Sequence, residues 1–306
     1  MLQKIYLAAF CLMLIPLQGF ALEPSEKLIF EKNSLYQYIQ VIEDTVKKER
    51  YVRNQKKEFT QGGIYVNAPD KLRFEFTQLF FVSLAFLDRD PNDVLFVGLG
   101  AGAMPKYFTG RYPDAVIDIA EIDPDMVAVA QKYFYFKENE RMKVHVEDGR
   151  LFVKRTKKSY DWIILDAYQN ESIPFHLTTL EFLNEVKSRL KENGVVAANI
   201  ISPYRNKFFD SMVMTYKKAF PHFAIFKGKN SANFIFVATT GSKIRNKDSV
   251  KATARKIQSA RKFDIDLEAF ASRYEPSKEY EWGGAKILTD DFAPVNLYQY
   301  QKSGAQ

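Results

Sequence analysis

"DVLFVGLGAGAMPKYF", residues 93–108, is the stretch whose reading decides the fold. The uninterrupted apolar run from Val94 to Val97 reads as a strand covered on both faces. Gly98, Gly100 and Gly102 follow as G-x-G-x-G, where missing Cβ atoms let the backbone turn sharply and approach a ligand. A helix begins at about Ala103. Strand, glycine turn and helix together form the unit that holds nucleotide-like ligands at the carboxyl end of a parallel strand. The spacing argues against a dinucleotide. A pyrophosphate site needs its third glycine three residues after the second, but here the step is two, and Met104-Pro105 occupies the diphosphate position. A ligand without phosphates fits better.

Working outward, strands and helices alternate downstream. "AVIDIAEID" is a second strand, Pro124 opens the helix "DMVAVAQKYF", and "KVHVED" and "YDWIILDAY" are the third and fourth strands. "TLEFLNEVKSRLKENG" reads as an amphipathic helix closed by Gly194, and "VVAANIIS" as the fifth strand. A further helix leads to a hairpin of "HFAIFKG" and "NFIFVATTG", then to a basic helical tail over 243–274. Upstream, "LYQYIQVIED" and "GIYVNAP" alternate apolar and polar positions around Gly62-Gly63, as antiparallel hairpins do. A helix over 71–88 follows them. The pattern predicts an α/β fold with a mostly parallel sheet and helices on both faces. Residues 22–80 form a small β unit with the start of a helix, and 81–306 form the main domain.

Composition narrows the chemistry. With 306 residues, 46% of them hydrophobic, and with 26 Phe and 17 Tyr, the chain is long and apolar enough for a large core. The net charge of +7 is dispersed, and no groove-reading motif accompanies it, so no nucleic-acid partner is expected. The run "KRTKK", Lys154 to Lys158, reads as a solvated helix end. Residues 1–21 carry Lys4, an apolar core from Ile5 to Leu17, and small residues at Gly19 and Ala21, the pattern of a cleaved export signal. An uncleaved anchor or a cytoplasmic chain is the alternative. The single cysteine, Cys11, lies in that segment, so the processed chain would have no thiol for a disulfide or a thiolate zinc site. His145, His176 and His222 lack metal-ligand spacing, and no metal is expected.

Acids end three successive strands. Glu121 closes "AEID", suited to accept from both ribose hydroxyls, while Asp123 beside it reads as an exposed strand-end acid. Asp148 in "VEDGR", with Gly149, stands where an exocyclic adenine amine would donate. Asp166 closes "LDAY". One such acid is commonplace. Three beside a glycine turn describe a cleft for an adenosine bearing a sulfonium.

These segments resemble the spermidine synthase (polyamine aminopropyltransferase) family on the Rossmann-like, class I S-adenosylmethionine-dependent methyltransferase fold, in an atypical bacterial branch. "EKNSLYQYIQVIED" resembles the family's N-terminal E-x-x-S-x-Y-Q pattern, "VLFVGLGAGAMPKYF" its glycine loop, and "AEIDPDMVAVAQKYF" and "VEDGRLFV" its ribose and adenine segments. "YDWIILDAYQNESIPFHLTTLEF" resembles its catalytic-loop region and "LTDDFAPV" its C-terminal segment. The resemblance implies that Gly98, Gly100, Gly102, Glu121, Asp148, Gly149 and Gln37 bind decarboxylated S-adenosylmethionine or S-adenosylmethionine. It implies that Asp166 is the catalytic base, with Glu75, Tyr168 and His176 near a small-molecule amine, and that the chain forms a homodimer. His176 also reads as a satisfied loop or cap residue, and Tyr168 as space-filling.

Departures from the pattern bear on the chemistry. Ala101 stands where the family has an aspartate for the donor's ammonium, and Gln169 replaces the second aspartate of D-[ST]-[ST]-D-P. Arg73 and Leu79 replace a tyrosine and a histidine around Glu75. Polyamine amines titrate near the lysine value of about 10, so aminopropyl transfer needs a carboxylate to take the proton and others to hold the remaining ammonium. Glu171, Asp290 and Asp291 are the candidates to stand in. Aminopropyl transfer, methyl transfer on the same fold, and nucleoside or polyamine binding without turnover all remain open at this point.

Overall fold

The computed structural model describes residues 22–53, 60–168, 172–243, 245–275 and 284–292. The expected export signal, Gln169 and Glu171 lie outside these residues.

Four antiparallel strands come first: β1 (Glu26–Asn33), β2 (Tyr38–Asp44), β3 (Glu49–Arg53) and β4 (Thr60–Tyr65), ordered as numbered. The second sheet is ordered β12-β10-β11-β9-β8-β5-β6-β7. Its members are β5 (Asp93–Val97), β6 (Val116–Glu121), β7 (Met142–Val146), β8 (Tyr160–Leu165), β9 (Leu190–Ile201), β10 (His222–Lys227), β11 (Asn233–Thr239) and β12 (Tyr274–Glu275). From β7 to β9 the pairing is parallel, and β11, β10 and β12 are antiparallel. The helices are α1 (Glu75–Leu79), α2 (Ala103–Thr109), α3 (Pro124–Tyr133), α4 (Gly149–Arg155), α5 (Leu180–Ser188), α6 (Phe209–Ala219), α7 (Lys247–Ala260) and α8 (Leu267–Ala271).

Strand alternation sorts the core into two layers. Val94 and Phe96 face one layer with Tyr107, Phe108, Trp162 and Phe263. Leu95 and Val97 face the other with Phe152, Phe182, Leu183 and Met212. A third cluster joins the sheets: Ile39, Val41, Val52 and Ile64 pack on Met126, Val129 and Phe134 of the α3 region and on Ala101 of the glycine loop. Arg50 Nη1 donates to the carbonyl of Tyr133 at 2.6 Å, and Lys32 pairs with Asp125 at 2.7 Å. The small sheet therefore lies over α3 and the mouth of the glycine turn.

Two local expectations are corrected. The helix expected over 71–88 is a short α1 followed by a 3-10 helix over Phe80–Phe86. All seven residues of the latter are buried, against β9, β11 and α7, so the segment has no polar face for a regular amphipathic helix to present. Ser83 satisfies its hydroxyl on Phe80 O at 2.6 Å and accepts from Trp162 Nε1 at 2.8 Å. Gly194 is not a helix cap. Helix α5 ends at Ser188 and β9 begins at Leu190, with a register shift against β8 between Tyr160 and Trp162. Asn193 takes the left-handed turn there, with φ of 59°. Lys191 within this bulge pairs with the fully buried Asp161 at 2.9 Å and with Asp93, which draws the segment into the sheet edge.

Candidate active site

Glycine turn geometry fixes the floor of the site. Gly98, Gly100 and Gly102 have φ of 100°, 53° and 68°. A Cβ at Gly98 would fall on the carbonyl oxygen of Asp166, so this turn and the end of β8 approach only because Gly98 has no side chain. Asp166 N in turn donates to Val97 O at 2.9 Å. Above the turn lies a cavity of about 430 Å³, within the size range of small-molecule sites.

The three strand-ending acids converge on it: Glu121, Asp148 and Asp166 all line this cavity, as do Gln37, Gly98, Gly100, Gly149, Tyr168 and His176. Gly102 lies one step behind, as the residue preceding α2, where a Cβ would strike the ring of Phe136 at 2.6 Å.

Glu121 is buried, and its carboxylate accepts from Leu99 N at 2.9 Å and Asp123 N at 3.0 Å. Burial pushes its carboxyl above the usual range, and those amide donors pull against the shift. Asp123 is not the exposed acid expected. It is 1% exposed, caps α3 through Asp125 N at 3.0 Å, and accepts from Ser34 Oγ at 2.7 Å and Gln37 Nε2 at 3.4 Å. The "SLYQ" turn is thereby tied to the carboxyl end of β6, which holds Gln37 at the cavity.

Asp148 caps α4 through Leu151 N at 2.9 Å and meets His176 Nε2 at 2.9 Å. Burial raises its carboxyl, but the bonds from His176 and the helix amides prevail and leave it lowered. His176 lines the cavity and is already bonded to Asp148.

Asp166 is half-buried, and burial pushes its carboxyl up to about 7, against a bond from Asn199 that acts the other way. Asn199 Nδ2 donates to Asp166 Oδ1 at 3.0 Å, and Asn233 Nδ2 donates to Asn199 Oδ1 at 2.8 Å. Tyr168 donates its hydroxyl to Asn199 O at 3.0 Å, and burial lifts its phenol well above the usual range.

Glu75 does not reach the cavity. It bonds Arg273 at 2.6 Å and Asn230 N at 2.7 Å, so its charge is already used to hold α1 to the segment after β10 and to the end of α8. Arg73 is occupied with Glu49 at 2.6 Å. Asp290 accepts twice from Arg150 at 2.7 Å and once from Thr179 at 2.8 Å, and Asp291 is exposed. Ala101 is 3% exposed and sits so close beneath β4 that a Cβ on Gly62 would meet it at 3.2 Å. Sequence reading missed Asn199, Asn233, Gln61 and Ser231, all cavity-lining. Gln37 Oε1, Gln61 Nε2 and Ser231 Oγ are buried with no hydrogen-bond partner among the described residues, so each has capacity to bond a ligand or water. No group of acids, histidines and cysteines among the described residues is arranged to hold a metal.

Residues 78–227 match the spermine/spermidine synthase domain. A polyamine aminopropyltransferase of Vibrio vulnificus (strain CMCP6) is 34% identical over 295 residues, covering 94% of this chain and 96% of its own. The chain belongs to the polyamine aminopropyltransferase family. A probable spermidine synthase from Corynebacterium glutamicum ATCC 13032 shares the family fold, with a TM-score of 0.68 at 19% identity over 86% of this chain and 97% of that one. Human methyltransferase-like protein 13, solved in complex with SAH, follows with a TM-score of 0.58 at 26% identity, over 63% of this chain and 95% of that one. The fold of this aminopropyltransferase family member is thus the Rossmann-like class I methyltransferase fold with an added N-terminal antiparallel sheet.

Proposed function

We propose that this chain transfers an aminopropyl group from decarboxylated S-adenosylmethionine to a small amine of the polyamine class, with Asp166 as the base. The acceptor nitrogen attacks the propyl carbon bonded to sulfur. The N–C bond forms as the C–S bond breaks, 5′-methylthioadenosine leaves with the electron pair, and the proton on nitrogen passes to Asp166. Glu121 and Gln37 serve the ribose end of the donor and Asp148 the adenine. The observation that carries this reading is the place of Asp166 at the cavity wall against Gly98 of the glycine turn, where burial lifts its carboxyl to about 7. A base with that value is ionised often enough near neutrality to take the acceptor's proton as nitrogen frees its lone pair and the N–C bond forms.

Methyl transfer is the weaker reading. The methyltransferase likeness spans 63% of the chain, whereas the aminopropyltransferase relative spans 94%, the N-terminal sheet included. The test supplies the purified protein with either sulfonium donor and a diamine. Release of 5′-methylthioadenosine from the decarboxylated donor supports the proposal, and a methylated amine formed from the carboxylated donor refutes it.

Residues 1–21 are read as an export signal, so the donor would have to be met outside the cytoplasm or before export. Cell fractionation with N-terminal sequencing tests this: a mature chain starting at Leu22 supports it, and an intact cytoplasmic chain refutes it. A homodimer with no nucleic-acid partner is the assembly state proposed, to be checked by sedimentation with and without added RNA.

A further inference from the structure

Asn199 and Asn233 belong to no motif of the glycine turn or the loop after β8, yet they occupy costly positions. Asparagine is depleted in strands, and a buried amide must find partners for its donors and acceptor. Asn199 is 4% exposed in the middle of the otherwise apolar run "VVAANIIS". Its neighbour on β8 is the segment leading to Asp166, since Leu165 pairs with Ala198. On the other side β11 runs antiparallel, so its first residue, Asn233, arrives at the carboxyl edge of the parallel strands. Asn233 pairs with Ile201 and Ile235 with Asn199, which puts the two asparagines diagonally on one face. The reversed strand thus delivers a side chain to the edge where ligands bind.

We infer that Asn199 and Asn233 form a two-amide clamp that fixes the orientation of the Asp166 carboxylate and leaves Oδ2 for the acceptor amine. This rests on Asp166 being the base of the proposed reaction. An amide can present either its oxygen or its nitrogen to a neighbour. Asn233 occupies Asn199 Oδ1, so Asn199 must turn its Nδ2 toward Asp166 Oδ1, and Tyr168 holds the backbone carbonyl of Asn199 as a further anchor. Asp166 Oδ2 makes no hydrogen bond among the described residues. The groups facing Asp166 from β9 and β11 are these neutral amides, and from its own loop the phenol of Tyr168, with Tyr216 of α6 behind it. The charged or titratable side chains elsewhere around the cavity, among the described residues, are Tyr36, Glu121, Asp148, His176 and Arg205. The two asparagines are positioning residues: they act on the amine only through Asp166.

Asn199→Leu and Asn233→Leu test the clamp. Both remove a donor that favours the carboxylate, the first directly and the second by letting the Asn199 amide turn over. The acid limb of the kcat/KM profile should move up by about one pH unit in Asn199→Leu and by less in Asn233→Leu. At neutral pH kcat should fall on the order of 10- to 100-fold, while the KM for the decarboxylated donor stays within about twofold. Asn199→Leu should also lower the melting temperature, because it leaves the Asn233 amide and Asp166 Oδ1 without their partner, and Asn233→Leu should lower it less. An acid limb unmoved in both variants overturns the clamp, as does an unmoved limb with a lowered melting temperature, which would make the pair structural only. Should Asn199→Leu fail to fold, Asn233→Leu decides alone. Asp166→Asn separates the two claims. Full activity in that variant removes the base assignment and the clamp with it, whereas loss of activity with unmoved limbs in the leucine variants removes the clamp only.

Discussion

Asp166 ionises near 3.8 in an unfolded chain but is held protonated up to about 7 in the fold, because leaving water penalises the charge more than Asn199 repays. Its protonated form is the one folding favours. The stabilisation is complete below about pH 3.8 and is lost as pH rises through about 7. Asp166→Asn should therefore remove the base and also relieve that penalty. Turnover should drop by about 10²–10⁴-fold, and at about pH 8 the variant should be more stable than wild type by up to roughly 4 kcal/mol. Urea titrations at pH 5 and pH 8, both nominal values, would check the sign. A variant stabilised equally at both pH values would contradict the burial account. At the other end of the cavity, Glu121→Gln should weaken donor binding by about 1.5–3 kcal/mol, the size of a charge-assisted bond, with kcat much less affected. A calorimetric affinity unchanged in this variant would remove Glu121 from the ribose role.

Elements explain why some of this was legible and some was not. Short-range rules carried the parallel half: the apolar β5 run, Pro124 opening α3, and an acid at the carboxyl ends of β6, β7 and β8 all lie within a few residues of their cause. Asp148 is a local signal of this kind, and Asp148→Ala should cost α4 about 1 kcal/mol for the lost cap, plus the His176 contact. Thermal unfolding beside a His176→Ala control separates the two contributions. What the sequence hid is what needs a distant partner. Gly194 carries every mark of a helix cap, yet Lys191 is pulled into the sheet by Asp93 and Asp161 from two other strands. Glu75 sits in a motif-like string, but Arg273, nearly two hundred residues on, takes its charge. Asn233 faces the site only because β11 runs backwards. One clue to Asn199 was present all along: a lone amide inside a strand expected to be buried on both faces.

For the whole molecule, the decisive arrangement is the small sheet laid over the glycine turn and α3. Four bonds make that junction polar as well as apolar: Ser34 and Gln37 on Asp123, Lys32 on Asp125, and Arg50 on the Tyr133 carbonyl. A donor bound between the sheets would tie them together further. At about 100 times its dissociation constant it should add roughly 2.7 kcal/mol, and hydrogen exchange should slow in β2 and β4 as well as at the turn. Protection confined to 93–108 would mean that the small sheet takes no part in binding. The overall architecture followed from the alternation of strands and helices, but the docking of the two sheets did not. It depends on Ala101 and Gly62 both being small where they meet.

The most direct test is the rate of 5′-methylthioadenosine release from decarboxylated S-adenosylmethionine and a diamine, followed from about pH 5 to 9 for wild type and Asp166→Asn. The account predicts release by the wild-type chain, with kcat/KM rising through an acid limb near 7, and little or none by the variant. Release by the variant at the wild-type rate, or a wild-type profile flat through neutrality, would contradict it.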